Sequence, residues 1–153
     1  VMDLADVYQH ALRSGWGSFR FTPAVQSLRA FGVAMELYEA EGGQPARLAR
    51  YSRNRDVLYD GLVALGFTPY LERRHQGPII VNVHQPRDPA WDFRAFIERL
   101  KAHGVLLSNF WNTAEPTIRI ACIGAVGEAD IRFALGRIEE VLGEMGVGLR
   151  RAA

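Results

Sequence analysis

The sequence predicts an α+β fold: a small antiparallel or mixed sheet with helices packed on one face. Three observations carry this. Apolar residues recur at helical spacing in several segments, yet only on one side of each, so these helices are amphipathic rather than apolar all round. The strand-like runs are few, short and β-branched. The elements follow in the order of three helices and then β-β-α-β-β-α, which suits two layers around one core.

The first helix is expected from Leu4, with Val7, Tyr8, Ala11 and Leu12 on one side and Asp3 as N-cap; Gly15 and Gly17 end it. Arg20-Phe21-Thr22-Pro23 reads as extended, because a residue before proline is biased away from helix. A second helix covers about Ala24 to Ala40, with Val25, Leu28, Phe31, Gly32, Met35 and Tyr38 on one side, and Gly42-Gly43 stops it. Pro45 suits the first turn of a third helix running to about Leu65. There Leu48, Tyr51, Leu58, Leu62 and Leu65 are apolar, while Arg47, Arg50, Arg53 and Arg55 are expected largely outward. Strands are expected at Phe67–Leu71, Ile79–Val83, Val105–Leu107 and Thr117–Cys122. A helix from Asp92 to Ala102 turns Phe93, Phe96, Ile97 and Leu100 inward, and a last helix covers Glu128 to Met145.

At 153 residues the chain fits one domain able to bury about 70% of its unfolded surface. A net charge of +1 gives no reason to expect nucleic acid as a partner. Of the 18 basic residues only Lys101 is a lysine, so a Schiff-base mechanism has one candidate here. One cysteine, Cys122, excludes an intrachain disulfide and suits a reducing cytoplasm. No apolar run reaches the roughly 18–20 residues of a membrane span, and no signal peptide is read. The abrupt start into a helix is what a truncated product would show.

The four histidines, His10, His75, His84 and His103, make no metal-ligand spacing, so no metal is expected. Cys122, inside an apolar strand, reads as an inert core thiol. Two features could bind anions. Arg20 and Thr22 lie on an extended stretch leading into a helix N-terminus, where a hydroxyl, free N–H groups and the helix dipole favour negative charge; the plain alternative is an ordinary helix start. Arg119, flanked by Ile118 and Ile120, must face the opposite side of its strand from both. If the isoleucines face the core, the guanidinium is presented to solvent or a cleft and could clamp a carboxylate or phosphonate.

Several segments together resemble one family. Arg20-Phe21-Thr22-Pro23, Glu39 to Gly43, Arg47 to Asn54, Ala64 to Phe67, Gly77 to Val81, Phe93 to Gly104 and Thr117 to Gly124 are similar, in order, to the later half of 2-aminoethylphosphonate–pyruvate transaminases. The resemblance implies the C-terminal small domain of a fold type I, class V transferase that uses pyridoxal 5'-phosphate (PLP), with residues 1–41 ending the large-domain region and linking to a small domain at 42–150. It implies a homodimer that moves an amino group from 2-aminoethylphosphonate, a small anionic donor, to pyruvate. By resemblance, Thr22, with Arg20 beside it, would bind the PLP phosphate in the neighbouring subunit's site, and Arg119 the substrate's anionic end. The catalytic lysine would belong to a missing N-terminal large domain. This chain would then hold no catalytic residue and be inactive alone, because Lys101 reads as a solvated position. Two stretches depart from the family: Ala24-Val25-Gln26 where Pro-Thr-His is usual, and the loop Ser108 to Asn112 in place of Tyr-Pro-Gly-Lys. That loop is where a related alanine–glyoxylate or serine-type class V activity would part from the phosphonate one. A non-catalytic α+β binding module is the reading from another class.

Overall fold

The computed structural model describes residues 3–108 and 113–148. The chain divides into two compact units, Val1–Gly43 and Gln44–Ala153.

The first unit holds α1 (Leu4–Arg13) and α2 (Val25–Glu41). The Asp3 carboxylate caps α1, accepting from the N–H groups of Ala5 and Asp6 at 3.0 and 3.1 Å. After Ser14 the chain turns left-handed at Gly15 and at Trp16, whose φ of 62° is the one positive value at a non-glycine among the described residues. The helix α2 starts from Ala24, which has no side-chain cap, and ends at Gly42 in the left-handed conformation. No residue of either helix is buried. Val25, Leu28 and Phe31 stand 58–64% exposed along α2.

The second unit carries the core. It contains most of α3 (Gly43–Ala64), a 3-10 turn at Arg73–His75, β1 (Ile80–His84), α4 (Phe93–Ala102), β2 (Thr117–Ala121) and α5 (Glu128–Met145). Strands β1 and β2 pair antiparallel, with Asn82 opposite Arg119. Val81, Val83, Ile118 and Ile120 lie on one face and pack with Leu58 and Leu62 of α3, Phe96 and Leu100 of α4, and Ile131, Ile138 and Val141 of α5. All these side chains are at most 5% exposed. This is the small antiparallel sheet with helices on one face.

Three expectations change. The strand at Phe67–Leu71 reduces to a single bridge between Pro69 and Val83; proline has no N–H to donate to a ladder. Its flanks still bond β1, with Tyr70 N–H donating to Asn82 O and His84 N–H to Thr68 O, both at 2.9 Å. Val105–Leu107 forms no strand: the Val105 N–H is spent closing the α4 C-terminus on Leu100 O, and no described strand pairs with the segment. In α3, Arg50 and Arg55 are half-buried rather than outward, and Leu48 is exposed.

Helices α3 and α5 meet at Gly61, where a Cβ would run into the side chain of Leu135. We therefore expect Gly61→Ala to destabilise by about 1–3 kcal/mol through overpacking. Gly136→Ala on α5, whose Cβ would meet nothing within 4 Å, should stabilise by about 0.5–1 kcal/mol through helix propensity. Urea unfolding of the two variants checks the opposite signs.

Candidate functional site

Side chains alternate across a sheet, so locking four apolar residues into the core turns the rest of both strands the other way. That outer face carries Ile80, Asn82 and His84 from β1 and Thr117, Arg119 and Ala121 from β2. Arg119 is half-buried and is not a free cation. Asn82, directly across from it, keeps a buried Oδ1 with no hydrogen-bond partner. At the strand end, His84 Nδ1 lies 3.2 Å from Glu115 Oε2 and its ring meets Tyr70 at 5.4 Å. Thr117 is buried there, its hydroxyl 2.9 Å from that of Thr113.

The far end of β2 is held from α3. Arg50 Nη1 donates to the carbonyls of Gly124 and Val126 at 2.7 and 2.9 Å. Asn54, 1% exposed, donates from Nδ2 to Cys122 O and Val126 O at 3.3 and 3.0 Å. Gly124 N–H in turn donates to the Tyr51 hydroxyl. The loop then enters α5, with Gly127 N–H donating to Asp130 Oδ2 at 2.8 Å. An acidic first turn also suits the helix N-terminus. Reading the sequence for outward arginines missed this clamp. The signal was the spacing of four that puts Arg50 and Asn54 in line with Leu58 and Leu62 on the core side of α3.

In the first unit Arg20 is engaged locally. Its Nε pairs with Asp6 Oδ2 at 2.9 Å and its guanidinium lies over the Phe21 ring at 4.9 Å. Thr22 is exposed, and among the described residues its hydroxyl has no partner. It does not cap α2, since Ala24 occupies that position. A cleft of about 430 Å3 opens elsewhere, lined by Thr68, His84, Arg87 and Glu115 among others; Arg119 is not among its walls. In the loop Ser108 to Asn112, only Ser108 lies within the described residues. Lys101 is exposed on α4. Among the described residues no three His, Cys, Asp or Glu side chains gather to hold a metal ion, and no helix is long and apolar enough to cross a membrane.

Comparison with known proteins decides the kinship. No protein-family model matches the chain. The 2-aminoethylphosphonate–pyruvate transaminase of Burkholderia ambifaria is 41% identical over 153 residues, all of this chain and 40% of that protein. The one from Pseudomonas entomophila is 42% identical over 147 residues, 96% of this chain and 39% of that protein. Over its whole length the chain is similar to part of these 2-aminoethylphosphonate–pyruvate transaminases. It spans about 40% of the length of these curated relatives. Two solved structures share its fold. Pyridoxamine-pyruvate aminotransferase from Mesorhizobium loti matches with a TM-score of 0.75 and 24% identity, over 86% of this chain and 34% of that one. Ureidoglycine-glyoxylate aminotransferase from Bacillus subtilis matches with a TM-score of 0.70 and 22% identity, over 93% and 38%. The chain therefore has the fold of a segment of these two aminotransferases.

Cys122 is fully buried, and its Sγ donates to Ile79 O at 3.2 Å. Burial pushes the thiol up from its ordinary value, with the charge of Arg55 opposing. A raised folded-state value favours the neutral form, so its contribution to stability is full below the unfolded value and is lost as pH rises from there through the raised folded value. Iodoacetamide at about pH 8 should leave Cys122 unmodified in the native protein and label it in urea, as mass spectrometry would read. Asn54→Ala, which leaves Cys122 O without its side-chain donor while Val126 O keeps Arg50, should cost about 1–3 kcal/mol in the same denaturant.

Proposed function

We propose that this chain is the C-terminal part of a PLP-dependent aminotransferase that transfers the amino group of 2-aminoethylphosphonate to pyruvate, giving phosphonoacetaldehyde and alanine. The observation that carries the reading is the 41% identity across the whole chain to a transaminase of that name. The outward presentation of Arg119 from a register-locked strand supports it. In this reading Arg119 binds the anionic end of the amino donor, since a guanidinium matches two anionic oxygens at once. Thr22, beside Arg20, donates to the phosphate of the cofactor in the site of a neighbouring subunit. Residues 1–41 close the large-domain region and 42–150 form the small domain. The exposed Leu28 and Phe31 of α2 cover apolar surface of that large domain or of the second subunit of a homodimer. A cytoplasmic location accords with the single reduced cysteine.

When bound, PLP supplies the electron sink for amino transfer. The residues described here do not by themselves make a site for it: the one lysine, Lys101, is exposed on α4, and Thr22 offers only a single exposed hydroxyl. The catalytic lysine then belongs to the large domain, and this chain alone is inactive.

The full-length protein should therefore turn over 2-aminoethylphosphonate with pyruvate faster than serine or alanine with glyoxylate. Preference for serine or alanine would assign it to the related class V activities instead. Arg119→Ala should raise KM for 2-aminoethylphosphonate roughly ten- to hundred-fold, the worth of hydrogen bonds to a charged group. Steady-state kinetics of both proteins reads the difference. An unchanged KM would remove Arg119 from the site.

A further inference from the structure

We propose that Asn82 is the second arm of the anion clamp formed by Arg119, binding a phosphonate or carboxylate oxygen of the substrate through its side-chain amide. This rests on the reading of Arg119 as the substrate's anion ligand. The two residues are register partners across β1 and β2. The hydrogen bonds flanking them define the kind of pair they make. Cys122 N–H donates to Ile79 O, and Gln85 N–H donates to Pro116 O. In an antiparallel ladder hydrogen-bonded pairs alternate with non-hydrogen-bonded ones. The pairs 79/122 and 85/116 being hydrogen-bonded, 82/119 falls on a non-hydrogen-bonded position. The backbone of Asn82 agrees, because its carbonyl turns to the other edge and accepts from Tyr70 N–H at 2.9 Å. Side chains at non-hydrogen-bonded positions start closest together, with Cβ atoms about 4.5–5.5 Å apart.

The amide itself is unspent. Its Oδ1 is buried without a hydrogen-bond partner, on the sheet face that the apolar core does not use. A buried carbonyl left unpaired costs free energy, and its register partner across the sheet, Arg119, carries donors that can meet it. A guanidinium carries five N–H donors, so Arg119 can keep its present interaction and still meet both a ligand and a neighbouring amide. With an anion on Arg119, Asn82 Oδ1 accepts from the guanidinium while Nδ2 donates to a ligand oxygen. Asn82 would thus fix the orientation of the anion as well as its charge.

The test uses the full-length, cofactor-loaded protein and titrates methylphosphonate by calorimetry into wild type, Asn82→Ala, Asn82→Thr and Arg119→Ala. Threonine favours a strand and guards against a folding defect in the alanine variant, and thermal melts report on both. The expected result is about tenfold weaker binding in each Asn82 variant, the size of one hydrogen bond to a charged group, and a greater loss in Arg119→Ala. Weakening by Arg119→Ala with wild-type affinity in both Asn82 variants would overturn this inference and leave the Arg119 reading standing. Unchanged affinity in Arg119→Ala would overturn both. Acetate titrated in parallel tells the donor's phosphonate from the acceptor's carboxylate as the group clamped; loss of either on substitution of Asn82 supports the assignment.

Discussion

The antiparallel pairing of β1 with β2 is the constraint on which the rest of the second unit depends. Its register commits Val81, Val83, Ile118 and Ile120 to the core. A slip of one residue in either strand would put its two core side chains in water and bring Asn82 or Arg119 into the core. Burial of these branched apolar side chains, each worth about 1.5–3 kcal/mol, opposes that slip. The same burial therefore holds the polar face in place. No separate device is needed to aim Arg119, because the arginine is aimed by its neighbours.

The remaining elements secure this arrangement from behind. Phe96 and Leu100 of α4, with Ile131, Ile138 and Val141 of α5, join the strands in one core, and α3 adds Leu58 and Leu62. Toward the other end of α3, Arg50 and Asn54 replace the apolar stripe with donors and hold the carbonyls of the β2–α5 loop. One helix thus packs the sheet with its later turns and ties down the strand's exit with its earlier ones. Buried carbonyls in a loop are tolerated only when they find such donors.

Much of this was legible in the sequence, and the failures have physical reasons. The cap at Asp3 and the glycine stop at Gly42 are local chemistry, so they read directly. The outward side of Arg119 followed from alternation alone. The strand expected at Val105–Leu107 failed because a short apolar run cannot say whether a partner strand exists. Arg50 and Asn54 were missed because their role depends on a loop more than seventy positions away. The open amide of Asn82 was beyond reach for the same reason: only the register shows what stands across from it. Arg20 and Thr22 were singled out by type, and the first unit shows one in a local ion pair and the other unengaged.

A crystal structure of the full-length, cofactor-loaded protein soaked with 2-aminoethylphosphonate tests the account most directly. The account predicts phosphonate oxygens within hydrogen-bond distance of the Arg119 guanidinium on the outer face of the β1–β2 sheet. A phosphonate held by other residues, with Arg119 turned to solvent, would contradict it.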